Sequence, residues 1–228
     1  MCTVWQKPTK HFRTLDFKIL MEKKVFIFLD NSNIFLSAKT IAAEKEGADA
    51  SYKIRISFES LIKLALANRP MEFAVAVGSV PPQLRHVWNK LSQTGVSVEL
   101  FERGSESDRE QAVDQALQVH MLRKAFDYNG HAGTAVLLTG DGKGFLDGVG
   151  FHADLERMHK KGWNIEVLAW EKTCNKKLKQ WAEEIGVFVP LEDFYESITY
   201  TDDTEGVIRQ SALVDLSKRK ISQTNSAK

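Results

Sequence analysis

The chain's 228 residues, 43% hydrophobic and 27% charged, are enough for one full core, so the sequence reads as an ordinary globular domain with tails. A net charge of +1 argues against an overall basic field, and any nucleic-acid contact must come from local patches. Cys2 and Cys174 lie far apart without CxxC or Cys/His ligand spacing, which argues against a disulfide framework and a structural zinc site. No apolar run reaches the roughly 18 residues of a membrane span, and the N-terminus lacks a signal-peptide core, so the expected compartment is cytoplasmic.

Residues 1–20 show neither periodicity nor turn logic and read as an N-terminal extension, with Met21 placed as an alternative start. Val25 to Leu29 is an unbroken apolar run of strand length, expected to be a central strand covered on both faces. Ser32 to Glu46 carries good helix formers up to Gly47, and Phe58 to Asn68 repeats a helical pattern that Pro70 stops. Phe73 to Gly78 is a second buried strand. Pro81 and Pro82 open a helix through Gln93, and Val96 to Phe101 alternates enough to lie near a sheet edge. A long helix spans Asp108 to Tyr128, and Gly133 to Gly140 is a fourth strand, apolar until Thr139.

Gly140, Gly142, Gly144, Gly148 and Gly150 then crowd into one loop. Ala153 to Lys161 is a helix, Asn164 to Trp170 a fifth strand, and Lys176 to Ile185 a helix. A short VFV run and a terminal helix, Leu191 to Ile198, complete the domain. The alternation predicts an α/β fold with a doubly wound, mainly parallel five- to six-stranded sheet flanked by helices over residues 21–198. From Thr199 to Lys228 apolar density falls, and Lys218, Arg219, Lys220 and Lys228 mark a flexible basic tail able to touch phosphates.

In a parallel sheet, Asp30 after strand one and Asp141 after strand four emerge at the same edge, where α/β proteins place their functional crevice. Asp30 or Ser32 could equally cap the following helix; with the other acids in view, capping falls to Ser32. At 100° per residue, Leu117, Met121, Ala125 and Tyr128 lie within about 60° of Asp114, so this carboxylate sits on its helix's apolar stripe. A buried carboxylate is tolerated when paired, protonated or metal-bound. The competing account places Asp114 in the first two turns, where the helix dipole favours an anion. Converging acids without a cation suit a hard divalent metal, which lowers the pKa of a bound water and screens a phosphoryl group. Asn33 and Asn31 would orient water or a phosphate oxygen. Trp88, Trp163, Trp170 and Trp181 read as core, and His120, His152 and His159 as surface or interface residues. Arg85, Lys90, Arg103 and Arg109 border the crevice and read as solvated faces.

The segments KVFIFLDNSNIF, REQAVDQALQVHML, TAVLLTGDGKGF and GWNIEVLAW together resemble the successive motifs of NYN domains, a branch of the PIN-like nuclease superfamily, from about Lys24 to Phe194. The resemblance implies a metal-dependent ribonuclease using Mg²⁺ or Mn²⁺, with Asp30, Asp114 and Asp141 as motif acids and Asn33 as motif amide. One departure stands out. Family members commonly continue GDG into another Asp and a Phe opening the next helix, whereas here the chain reads GDGKGFLDGVGF, with roughly eight residues before Phe151. Lys143 stands where an acid is expected, so either Asp147 replaces it as a metal ligand or the site runs with three. The glycines and Lys143 could also clamp a substrate phosphate; the pattern is not a P-loop.

The expected function is hydrolysis of RNA phosphodiester bonds. The alternative is a catalytically weak PIN-like module that binds RNA or a protein. A haloacid-dehalogenase-type phosphatase fits worse, because its second acid two residues after the nucleophile is replaced by Ser32. The RNA target and the oligomeric state, a homodimer included, stay open.

Overall fold

The computed structural model describes residues 24–79, 85–101, 106–142, 148–203 and 206–222. Lys143, Asp147, Arg103 and the expected N-terminal extension fall outside them.

The hydrophobic run after Lys24 becomes β1 (Val25–Asp30), all six residues buried, because neighbours pair with it on both sides and helices cover both faces. Around it lie β3 (Met71–Ser79), β4 (Ser97–Phe101), β5 (Thr134–Leu138), β6 (Asn164–Ala169) and β7 (Val187–Pro190), in the order β4-β3-β1-β5-β6-β7. Every pairing in this six-stranded sheet is parallel. The chain leaves β1 for β3 and β4 on one side, then returns for β5 to β7 on the other. The topological switch therefore falls between β1 and β5, the position at which α/β sheets open a crevice beyond their strand ends.

Strand parity divides the core. Val25, Ile27 and Leu29 face one layer of helices, α1 (Asn31–Glu46), α2 (Ala50–Lys53), α3 (Phe58–Leu66), α4 (Arg85–Ser92) and α8 (Tyr195–Ile198). Phe26 and Phe28 face the other, α5 (Glu106–Asp127), α6 (Gly150–Lys160) and α7 (Lys176–Ile185). Trp88, Trp163 and Trp170 are buried as core residues, whereas Trp181 is half-buried against His152. The Trp170 indole N–H donates to the Ile34 carbonyl at 2.9 Å, tying the end of β6 to α1. The edge position expected for Val96 to Phe101 holds for β4. The terminal helix expected over Leu191 to Ile198 splits into a 3₁₀ turn, Leu191–Phe194, and α8.

The expectation of a flexible tail from Thr199 is corrected by the packing. β8 (Thr199–Asp203) and β9 (Gly206–Arg209) form an antiparallel sheet with β2 (Ile54–Ile56), in the order β2-β8-β9. Further on, Val214 and Leu216 pack on the core, and Arg219 is 7% exposed. Its guanidinium meets Glu166, a fully buried carboxylate in β6 that also accepts two hydrogen bonds from Arg69, at 2.7 and 2.8 Å. Arg219 is thus committed to an internal ion pair rather than to phosphates. Burial alone would raise the Glu166 carboxyl, but the Arg69 hydrogen bonds and the two guanidinium charges hold it below the usual range.

Candidate active site

β1 runs directly into α1, and Asp30 is the residue at the junction. Its backbone is extended and its Oδ1 accepts from the Asn33 N–H at 3.0 Å, so Asp30 itself caps α1. The expectation that Ser32 would do so is corrected: Ser32 lies inside the helix, where it cannot take the extended backbone of a cap.

Asp30 is 4% exposed, and its Oδ2 accepts from the Thr139 hydroxyl at 3.0 Å. That hydroxyl in turn accepts from the Asp141 N–H at 3.2 Å. Thr139 therefore links the two acids across the switch between β1 and β5, a role the sequence reading missed; its only signal was a polar residue ending an apolar strand. Asn33 Oδ1 accepts from the Gly140 N–H at 2.9 Å, and the Gly140 carbonyl accepts from the Asn175 N–H at 2.9 Å. Asn175 also caps α7, with Oδ1 accepting from the Lys177 and Leu178 N–H groups.

The loop after β5 is thereby clamped between the starts of α1 and α7. Gly142 lies so close to Asn175 that an added Cβ would stand 2.7 Å from Asn175 Cγ. We expect Gly142→Ala to dislodge the α7 cap and lower stability by about 1–3 kcal/mol, read as a fall in the thermal midpoint together with reduced activity.

Electrostatics sharpen the picture. Burial pushes the Asp30 carboxyl up from 3.8 to about 6, the hydrogen bonds from Asn33 and Thr139 pull it down, and the Asp141 charge pushes it up again. Nearby, Asn31 Oδ1 is buried with no hydrogen-bond partner among the described residues. Two repelling carboxylates and an unsatisfied amide oxygen are hard donors, which fits one divalent cation held by two acids with water or phosphate filling the rest. Asp114 is half-buried on α5 between Val113 and Leu117, and Asp30 shares the strand parity of Phe26 and Phe28, the face α5 covers. Yet no group of three His, Cys, Asp or Glu side chains close enough to share an ion occurs among the described residues. Among the described residues, then, the three acids are not gathered closely enough to share one ion, although α5 packs over the sheet face that Asp30 shares.

Other residues hold the frame. Arg157 pairs with the buried Asp154 at 2.8 Å and donates to the Gly148 carbonyl at 2.6 Å, and the Gly150 N–H donates to Gln118 Oε1 at 3.0 Å. These bonds fasten the far end of the glycine-rich loop to α5 and α6. Burial pushes the Cys174 thiol up to about 12, which leaves it inert.

A parallel α/β sheet with two acids facing each other across its central switch defines a strand-end acidic centre of the Rossmann-like kind. A family model described as NYN domain matches residues 24–187, and the chain belongs to that family, a branch of the PIN-like nuclease superfamily whose domains are generally nucleases. A crystal structure of a protein of unknown function from Vibrio parahaemolyticus shares the fold, with a TM-score of 0.51 at 15% identity, over 82% of this chain and 98% of that one. No curated protein matches the chain. No helix among the described residues is long and apolar enough to cross a membrane.

Proposed function

We propose that the chain is a metal-dependent endoribonuclease that hydrolyses RNA phosphodiester bonds with Mg²⁺ or Mn²⁺. The observation that carries this reading is the Asp30–Asp141 pair, joined through Thr139 at the sheet switch. A divalent ion held there would lower the pKa of a bound water and neutralise charge on the phosphoryl group. Asp30 and Asp141 would hold it. Asp114, on the helix that covers the same sheet face, is assigned as the further acid of the site. Asn33 is a positioning residue, since its carbonyl oxygen is committed to Gly140. Asn31 offers its amide to a phosphate oxygen or water. Lys143 and Asp147, which follow Gly142 in the sequence, are assigned to the substrate and to an additional metal contact.

The test is cleavage of a labelled RNA by the full chain under Mg²⁺ or Mn²⁺. Products carrying a 5′-phosphate and a 3′-hydroxyl, lost on adding EDTA, are expected; cleavage that survives EDTA overturns the reading. The absence of a three-acid cluster among the described residues favours a second reading, a binding module with little chemistry. RNA binding that persists in EDTA with no turnover under manganese would establish that one instead.

A further inference from the structure

Positive charge lies on the segment that follows β6 and packs against the loop bearing Asp141. Lys176 and Lys177 follow Asn175, whose N–H bonds the Gly140 carbonyl and whose side chain abuts Gly142. Their helix therefore starts at a direct contact with the loop that bears Asp141. Both are exposed, and neither has an ion-pair partner among the described residues. Their neighbours differ: Lys172 pairs with Glu44 at 2.5 Å, and Lys179 with Glu171 at 2.6 Å.

The two lysines are also poorly placed for the fold. They sit in the first turn of α7, which holds no acid, where the helix dipole opposes a cation. The helix end itself is not the ligand site, because Asn175 already satisfies the Lys177 and Leu178 N–H groups. What remains is a pair of exposed ammonium groups, unpaired among the described residues, near acids that would repel a polyphosphate. Such a breach of a local rule beside a functional site calls for a ligand that offsets it.

We propose that Lys176 and Lys177 seat the phosphate backbone of single-stranded RNA on the β6 side of the acidic centre. The inference rests on the nuclease reading above and names the surface along which that substrate runs. Lysine contacts of this kind position the strand without reading its sequence.

The experiment is fluorescence anisotropy of a labelled oligouridine with the full chain in EDTA, across a salt series. Replacing both lysines by alanine should weaken binding roughly tenfold at low salt and flatten the dependence of log affinity on log salt by about 1.4, for two single-strand phosphate contacts. The Lys176→Arg/Lys177→Arg variant should bind like the wild type. Thermal midpoints should be equal to or above wild type, because the removed charges oppose the dipole. Unchanged affinity and slope in the alanine variant overturn the proposal. So does an arginine variant as weak as the alanine one, or a loss of binding that tracks a loss of stability. The two readings separate cleanly. Metal-dependent cleavage with lysine-independent binding removes the seat and leaves the ribonuclease; lysine-dependent binding with no cleavage under manganese removes the chemistry and leaves the seat.

Discussion

Replacing Asp30 by asparagine should abolish RNA cleavage, by at least about a thousandfold, while making the metal-free protein more stable at neutral pH. The first effect follows from removing one of the two carboxylates assigned to the ion. The second follows from burial. A carboxyl whose folded pKa is raised binds its proton more tightly in the folded state than in the unfolded one. Stability from this group is full below pH 3.8 and is lost as pH rises through about 6. At pH of about 7 the wild type therefore carries the whole penalty, roughly 3 kcal/mol as an upper bound. Asparagine cannot ionise, and its Oδ1 can still accept from the Asn33 N–H and cap α1. The gain should shrink as pH is lowered toward about 4, where Asp30 protonates by itself. Thermal melts of both proteins in EDTA at several pH values check this. A variant less stable than wild type at neutral pH would show that Asp30 is held chiefly as a cap.

The same residue shows how far the sequence could be read. An apolar run too uniform for a half-exposed strand located β1, and the rule that parallel strands open their site at the carboxyl ends placed Asp30 and Asp141 together. The α1, α3 and α7 segments were legible because each runs helix-forming residues up to a Gly or Pro. What could not be read were relations between distant side chains. That Thr139 would bridge Asp30 and the Asp141 N–H depends on a lateral step between strands that no periodicity encodes. Helical spacing placed Asp114 on an apolar stripe, which its half-buried position between buried Val113 and Leu117 agrees with, but not its distance from the other acids. The small sheet failed for a different reason. β2 has three residues, too few for alternation to register, and β8 with β9 is built from TYTDD and GVIR, a polar pair recognisable only once β2 is known to be waiting beside it.

Substituting Glu166 by alanine should destabilise the fold by about 3–5 kcal/mol and release the end of the chain from the domain. Glu166 is fully buried and accepts from Arg69 Nη1 and Nη2, from Arg219, and from the Ser222 N–H and hydroxyl at 2.8 and 2.9 Å. Removing the acid leaves two guanidiniums facing each other in a poorly solvated space, a larger loss than the pair's net worth. Arg219→Ala should cost less, because Arg69 still neutralises the carboxylate bidentately. Replacing Arg69, Glu166 and Arg219 together by apolar residues of similar size should recover most of the stability, since no charge is then stranded. The pH dependence has the sign opposite to that of Asp30. The Glu166 carboxyl is held below its ordinary value of 4.5, so its contribution is present above that value and is lost as pH falls through the lowered one. Urea unfolding of the variants gives the ordering, and limited proteolysis after Thr199 gives the release. If Glu166→Ala unfolds like wild type and its C-terminal segment stays protected, the packing of Val214 and Leu216, not the ion pair, holds that segment to the domain.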